Sequence, residues 1–200
     1  MPNKINNLGL NAEHISANLQ QYEAARTGFF TLLLPEELNQ KILEKVASTF
    51  NRLTELPVNP TDAIRLNVVR TTVPGYSLEP LVYSRGNEKI KFAGVPTWKD
   101  GSITVDDVIG MDTKAVLLAW KELAYDTKSR KGGRMADYKY DTTLVEYTQD
   151  YEIVRTWILK GSWCSDVDDA DFDKENDGKR QAGATIQYDR AEMSEADRTV

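Results

Sequence analysis

The chain has 200 residues, of which 40% are hydrophobic and 28% charged, with a formal net charge of −6 and a pI near 5.0. This balance excludes a wholly disordered chain, and it lacks the positive excess that drives binding to phosphate backbones. A single cysteine, Cys164, excludes an internal disulfide and a cysteine-cluster metal site, and the apolar stretches at 29–34 and 116–120 are too short to cross a bilayer. The N-terminus shows no basic region followed by an apolar one, so the expectation is a protein without a membrane anchor that stays in the cytoplasm where it is made.

In chain order, the periodicity predicts a helix over residues 12–26, where Ile15, Leu19 and Tyr22 share a face between Asn11 and Gly28. A short apolar strand follows at 29–34. A second helix starts at Pro35, takes Glu36 and Glu37 in its first turn, and carries Leu38, Ile42, Val46, Phe50 and Leu53 as one stripe ending before Pro57. The period then changes to two. Ile64, Leu66 and Val68 alternate with Arg65 and Asn67, Ile90 and Phe92 with Lys89 and Lys91, and Ile103 and Val105 with Ser102 and Thr104, which predicts antiparallel strands with one wet face. Asp112 caps a helix whose Val116, Trp120 and Leu123 face the sheet. Residues 127–137 hold Lys128, Arg130, Lys131, Gly132, Gly133 and Arg134 without an apolar anchor, and read as a mobile loop. Three more strands follow at 144–147, 153–159 and 185–188. The middle one is apolar on both faces and is expected at the centre of the sheet. The order of elements argues for an antiparallel sandwich or barrel rather than a parallel α/β sheet.

The residues with chemical potential read more simply as structure. Asp166, Asp168, Asp169, Asp171, Asp173, Glu175 and Asp177 are of the type that calcium requires, but a loop started at Asp169 has Lys174 where glycine is needed and Arg180 where glutamate is needed. A solvated acidic loop is the better reading. The lone histidine, His14, has no nucleophile or carboxylate pattern near it, and Cys164 beside Trp163 has no partner base. Gly132 and Gly133 after Lys131 lack the spacing of a phosphate loop. The cations at 128–134 have no interleaved aromatic for base stacking and are better assigned to a subunit contact. Trp98, Trp120, Trp157 and Trp163 read as core or interface anchors, Trp120 and Trp157 as core anchors in particular.

The order of several pieces resembles the tail tube proteins of bacteriophages, especially those of contractile tails. They are Val73-Pro74, the Lys91-Phe92-Ala93-Gly94 segment, the Ile103-Thr104-Val105 strand, the helix carrying Trp120, the run from Ile158 through Gly161 to Trp163, and a closing strand at 184–188. The resemblance spans about residues 62–190, and more loosely 29–34. Two departures stand out. Residues 36–63 insert a helix and a proline-containing linker, and Cys164 replaces a proline common in the family.

The resemblance implies a mainly β fold with accessory helices: an antiparallel β-sandwich or barrel with one packed helix, an N-terminal helical extension over 1–28, a tube domain over 29–190 with a helical insertion at about 36–56, and a polar C-terminal tail over 191–200. It further implies a structural subunit that closes into homohexameric rings, which stack into a tube for DNA ejection. Sheath, baseplate and tail terminator proteins would be its partners, DNA only a non-specific cargo, and the virion tail its location after synthesis in the host cytoplasm. No catalytic residue, cofactor or metal is expected. Lys128, Arg130, Lys131 and Arg134, with Asp168, Asp169 and Asp171, are the expected subunit-contact residues. Two alternatives stay open: a tube of a phage-like injection or secretion device and, in a different class, a calcium-binding or hydrolytic domain.

Overall fold

The computed structural model describes residues 28–50, 59–108, 112–169 and 178–195. The helix expected over 12–26, His14 and the acids from Asp171 to Asp177 lie outside them. In chain order the elements are β1 (Phe30–Leu33), α1 (Glu36–Phe50), α2 (Pro60–Asn67), β2 (Val68–Thr71), β3 (Tyr76–Arg85), β4 (Glu88–Trp98), β5 (Gly101–Asp106), α3 (Thr113–Ala124), β6 (Tyr125–Asp126), β7 (Lys131–Gly132), α4 (Met135–Tyr138), β8 (Tyr140–Tyr147), β9 (Ile153–Asp169), β10 (Gln181–Gln187) and β11 (Arg190–Glu195).

Seven strands form one antiparallel sheet in the order β1-β8-β9-β10-β5-β2, with β11 also pairing with β9. The first half of β9 pairs with β8 and β11, and its second half with β10. The two halves face each other, so that Leu32, Leu144 and Leu159 from one and Ile103 and Ile186 from the other line a common small cavity. The result is the mainly antiparallel sandwich-like β fold expected from the alternating patterns. In β10 every second residue, Ala182, Ala184 and Ile186, is buried, as a strand with one face on a core requires.

Where β9 passes from one half to the other, Tyr140 pairs with Ser162 and Thr142 with Leu159, which leaves one extra residue in β9. Such a bulge bends its strand. Gly161 adopts a φ of 63° there, and a Cβ on it would lie 2.6 Å from Asp189 Oδ2, so both backbone and space require glycine. Asp141 fastens the bulge: its Oδ1 accepts the Gly161 N–H at 3.0 Å and its Oδ2 the Lys160 Nζ at 2.8 Å. Behind the bulge the Thr142 and Ser162 hydroxyls share a buried hydrogen bond of 2.9 Å.

A layer of three helices closes the core, and here the structure departs from the single packed helix of the sequence reading. Leu38, Ile42 and Val46 of α1, Ala63 and Ile64 of α2, and Val116, Leu117, Ala119 and Trp120 of α3 are buried in the same cluster as Ile103, Val105, Cys164 and Ala184. The insertion is therefore part of the body. Thr61 of α2 donates to Asn39 Oδ1 of α1 at 2.9 Å, and Lys45 of α1 pairs with Asp126 after α3 at 2.8 Å.

The strand expected at 64–68 is a correction. These residues form the end of α2, and only Val68 begins a strand. Asn59 accepts the Thr61 N–H at 3.1 Å and Pro60 occupies the first turn, a strong helix start that outweighs a short alternation. Leu66, assigned to a buried face by period two, is 60% exposed, while the adjacent Ala63 and Ile64 are both buried. Three further differences are smaller. Asp112 precedes α3 in the left-handed region and makes no side-chain cap. Residues 190–195, assigned mostly to a polar tail, form β11 on β9. Residues 166–169, assigned to an acidic loop, are the end of β9.

Trp120 is fully buried, and its indole N–H meets no acceptor among the described residues, so its contribution is packing. Trp120→Ala is expected to cost about 3–5 kcal/mol, read by chemical denaturation, because a cavity of that size cannot collapse between helix and sheet. The Asp141–Lys160 pair predicts the pH range of the fold. Lys160 and the Gly161 N–H hold the Asp141 carboxyl below its ordinary value, so its contribution is complete above about pH 3.9 and fades as pH falls through the folded pKa. Asp141 in turn raises Lys160, whose contribution is complete below about pH 10.4 and is lost as pH rises through the folded value. Melting temperature against pH is expected to be flatter at both ends in Asp141→Asn than in the parent.

Candidate assembly surface

Strands β3 and β4 pair only with each other and stand away from the body as a long hairpin. A tight turn at Gly86, with a φ of 65°, reverses the chain between them. At the base, the Thr72 N–H donates to Ser102 O at 3.0 Å and the Lys99 N–H to Gly75 O at 2.9 Å. The Trp98 ring contacts Tyr76 with centroids 4.9 Å apart and Tyr188, of the body, at 6.1 Å. These contacts fix the direction in which the hairpin leaves the sheet.

Farther out the register shifts: Leu78 pairs with Pro96, but Pro80 pairs with Ala93. The extra residue in β4 brings Gly94 against the opposite strand, where an added Cβ would lie 2.1 Å from the Glu79 carbonyl oxygen. Beyond the bulge, Leu81 pairs with Phe92 and Tyr83 with Ile90, which puts these four side chains on one face. The Tyr83 and Phe92 rings meet edge to face at 5.7 Å. All four, and Val82 on the other face, are between 41% and 62% exposed.

The sequence pattern assigned Ile90 and Phe92 to the covered face of a strand, and this is corrected by the structure: among the described residues neither face of the hairpin is covered. The hairpin carries eight of the eighteen large apolar side chains exposed among the described residues, so the apolar exposure is concentrated on it. Patches of this kind mark interaction sites.

The cations expected at a contact occupy a second, smaller hairpin, β6–β7, which shows an ordered turn where the sequence suggested a loose loop. Asp126 Oδ1 accepts the N–H groups of Lys128 at 2.9 Å and Ser129 at 3.1 Å, and Arg130 completes the turn with a φ of 57°. Lys128 Nζ reaches back to Thr49 O at 3.3 Å; Arg130, Lys131 and Arg134 are exposed. Asp168 is exposed on β9, and Asp169 pairs through its backbone with Ala182. Asp166 pairs with Lys121 of α3 at 2.7 Å, a cation the sequence did not single out.

Beside this pair a cleft of about 250 Å³ is lined by Leu118, Tyr125, Trp163, Cys164 and Ser165 among others. Burial pushes the Cys164 thiol up to about 12, so at neutral pH it stays protonated, the inert form of a cysteine. Trp157 is half-buried, packs against the core and donates its indole N–H to Glu146 Oε1 at 3.0 Å.

No protein-family model matches the chain. Over 113 residues, 56% of this chain and 69% of the relative, it is 26% identical to the tail tube protein gp19 of Enterobacteria phage T4. Two solved structures share the fold over most of their length. One is the tube-terminating cap of the anti-feeding prophage, at a TM-score of 0.60 and 11% identity, covering 87% of this chain and 93% of that one. The other is the sheath-tube complex of an extracellular contractile injection system, at 0.59 and 15%, covering 90% and 97%. The chain is thus similar in sequence to a phage tail tube protein and shares its fold with chains of two contractile injection systems.

The structure makes Gly94 the test of the hairpin's shape. Gly94→Ala is expected to break the pairing beyond Glu79 and separate the Tyr83 and Phe92 rings, read as loss of their ring-current shifts by NMR. The melting temperature of the body should stay unchanged, since nothing in the core rests on the distal hairpin.

Proposed function

We propose that six copies of this chain close into a ring and that the rings stack into the tube of a contractile tail or phage-like injection device. The hairpin carries this reading. Its apolar side chains are exposed among the described residues, and a contact between unlike surfaces of identical copies forms a ring when the rotation closes. The likeness to gp19 favours a phage tail with DNA as the passing cargo; the coverage of the injection-system tube supports the second setting. The net charge of −6 suits a DNA conduit, because a wall that attracted phosphates would hold what it must release. Sheath, baseplate and terminator proteins are the further partners of such a tube.

In this reading the chain performs no chemical step and needs no cofactor. The cations Lys128, Arg130, Lys131 and Arg134 and the carboxylates Asp168, Asp169 and Asp171 act as steering charges at subunit contacts. Exposed pairs of this kind contribute about 0–1 kcal/mol each but raise the rate and fix the orientation of docking.

Purified protein at high micromolar concentration is expected to give rings or tubes in negative-stain images, with six-fold class averages, and to sediment as an oligomer. Assembly should slow as salt rises and slow further when the four cations are neutralised. Monomer alone across all salt conditions would sink the proposal.

A further inference from the structure

The half of the sheet made by β1, β8, β9 and β11 has two faces, and only one of them lies on the helix layer. On that side the register aligns Leu32, Leu144 and Trp157, all of them in or against the core cluster. The opposite face carries Thr31, Val145 and Thr156 in one row and Leu33, Thr143 and Ile158 in the next. Phe30 packs on the core, so Phe29, whose carbonyl accepts the Tyr147 N–H at 2.9 Å, continues the outer face by alternation.

A sheet face turned to water is polar and open. This one is neither. Val145 is not in the core cluster, yet it is only 4% exposed, and Thr31 on an edge strand is 6% exposed. The Thr31 hydroxyl is buried and meets no hydrogen-bond partner among the described residues, where a hydroxyl on an open face would be wet. Phe29, Leu33 and Ile158 are half-buried. The sequence of 153–159 is apolar on both faces, which suits a strand covered on both sides.

The chain itself holds a fitting cover. Periodicity over 12–26 gives a stripe of Ile15, Leu19 and Tyr22, and only Thr27 and Gly28 separate that segment from Phe29 on this same face. A helix over 12–26 would reach roughly 22 Å, and β1, β8, β9 and β11 at the usual strand spacing span about 14 Å, so one helix crosses the face. So short a link holds the stripe near its own sheet at an effective concentration on the order of millimolar, which favours it over a second copy.

We propose that residues 12–26 lie across the outer face of β1, β8, β9 and β11 of their own subunit, with Ile15, Leu19 and Tyr22 against Leu33, Val145 and Ile158. The segment closes a second, smaller core on the far side of the sheet and takes that face out of reach of other copies. This contact belongs to the single subunit and forms whether or not the chain assembles into a tube.

Thiol alkylation of the full chain, in dilute unassembled protein, tests the cover. Cys164 is buried and protonated, so an introduced cysteine reports against a slow background. Val145→Cys is expected to react with iodoacetamide about a hundredfold more slowly than Glu192→Cys, which stands exposed on the same face. Adding Leu19→Ser should speed the reaction at position 145 at least about tenfold. Should the serine variant melt early, single substitutions decide: Leu19→Cys is expected to react slowly, and Ala17→Cys, about half a helical turn away, rapidly. Equal reactivity at positions 145 and 192, no effect of Leu19→Ser at an unchanged melt, or equal reactivity at positions 19 and 17 would overturn the cover. Protection at position 145 that disappears on dilution would identify a second copy as the occupant and overturn it as well. Rings in negative-stain images test the tube reading separately, and none of these alkylation results bears on them.

Discussion

Strand β9 has to serve both halves of the sheet, and the rest of the body is arranged around that requirement. A straight strand of 17 residues could not pair with β8 and β11 at one end and then turn to β10 at the other while keeping one face on a common core. The bulge at Lys160 and Gly161 makes the turn, and polar groups of neighbouring strands hold it. Asp141 takes the N–H and the ammonium that the bulge presents, Lys139 pairs with Asp189 at 2.7 Å beside it, and the Thr142 and Ser162 hydroxyls satisfy each other underneath. With the sheet folded in this way, its helix-facing side is a concave apolar surface that α1, α2 and α3 fill together. That is why the helical insertion is not a decoration: without Leu38, Ile42 and Ile64 the inner surface around Trp120 would face water.

The hairpin obeys a different balance. In the body, apolar area is removed from water within the subunit, at about 25 cal/mol per Å². On β3 and β4 it is not, and an isolated two-stranded ribbon is marginal on its own. What holds the ribbon in one direction is the Tyr76, Trp98 and Tyr188 contact at its root and the close approach at Gly94. Pro80 and Pro96 interrupt the outer edges of this ribbon, which blunts them against pairing with a foreign strand.

Much of this could be read from residue order. The stripe Leu38, Ile42, Val46 and the Val116 to Trp120 face are buried as helical spacing requires, the strand around Ile103 lies where alternation placed it, and strands are found at 144–147, 153–159 and around Ile186 as expected. Local patterning was enough for the helices and for Ile103 because each has one face on the core. It failed at 64–68, where Asn59 and Pro60 start a helix through a capping bond that a count of alternating residues does not weigh. It also missed β11, whose polar residues join the sheet because β9 offers an unpaired edge; pairing needs backbone groups, not apolar side chains.

The sequence by itself determined which residues are apolar, their period and the acidic balance of the chain, and with these the mainly β class and the resemblance to tube proteins. Only the tertiary structure decided which apolar faces are satisfied inside one subunit. The alternation in β4 looks the same in sequence whether its partner surface is the chain's own core or another copy, because periodicity records that a strand has an apolar face and carries nothing about what lies opposite. The body closes over its core through the bend at Gly161 and leaves β3 and β4 beyond it, and that placement, set by contacts distant in sequence, leaves the apolar face of an ordinary strand pattern exposed among the described residues.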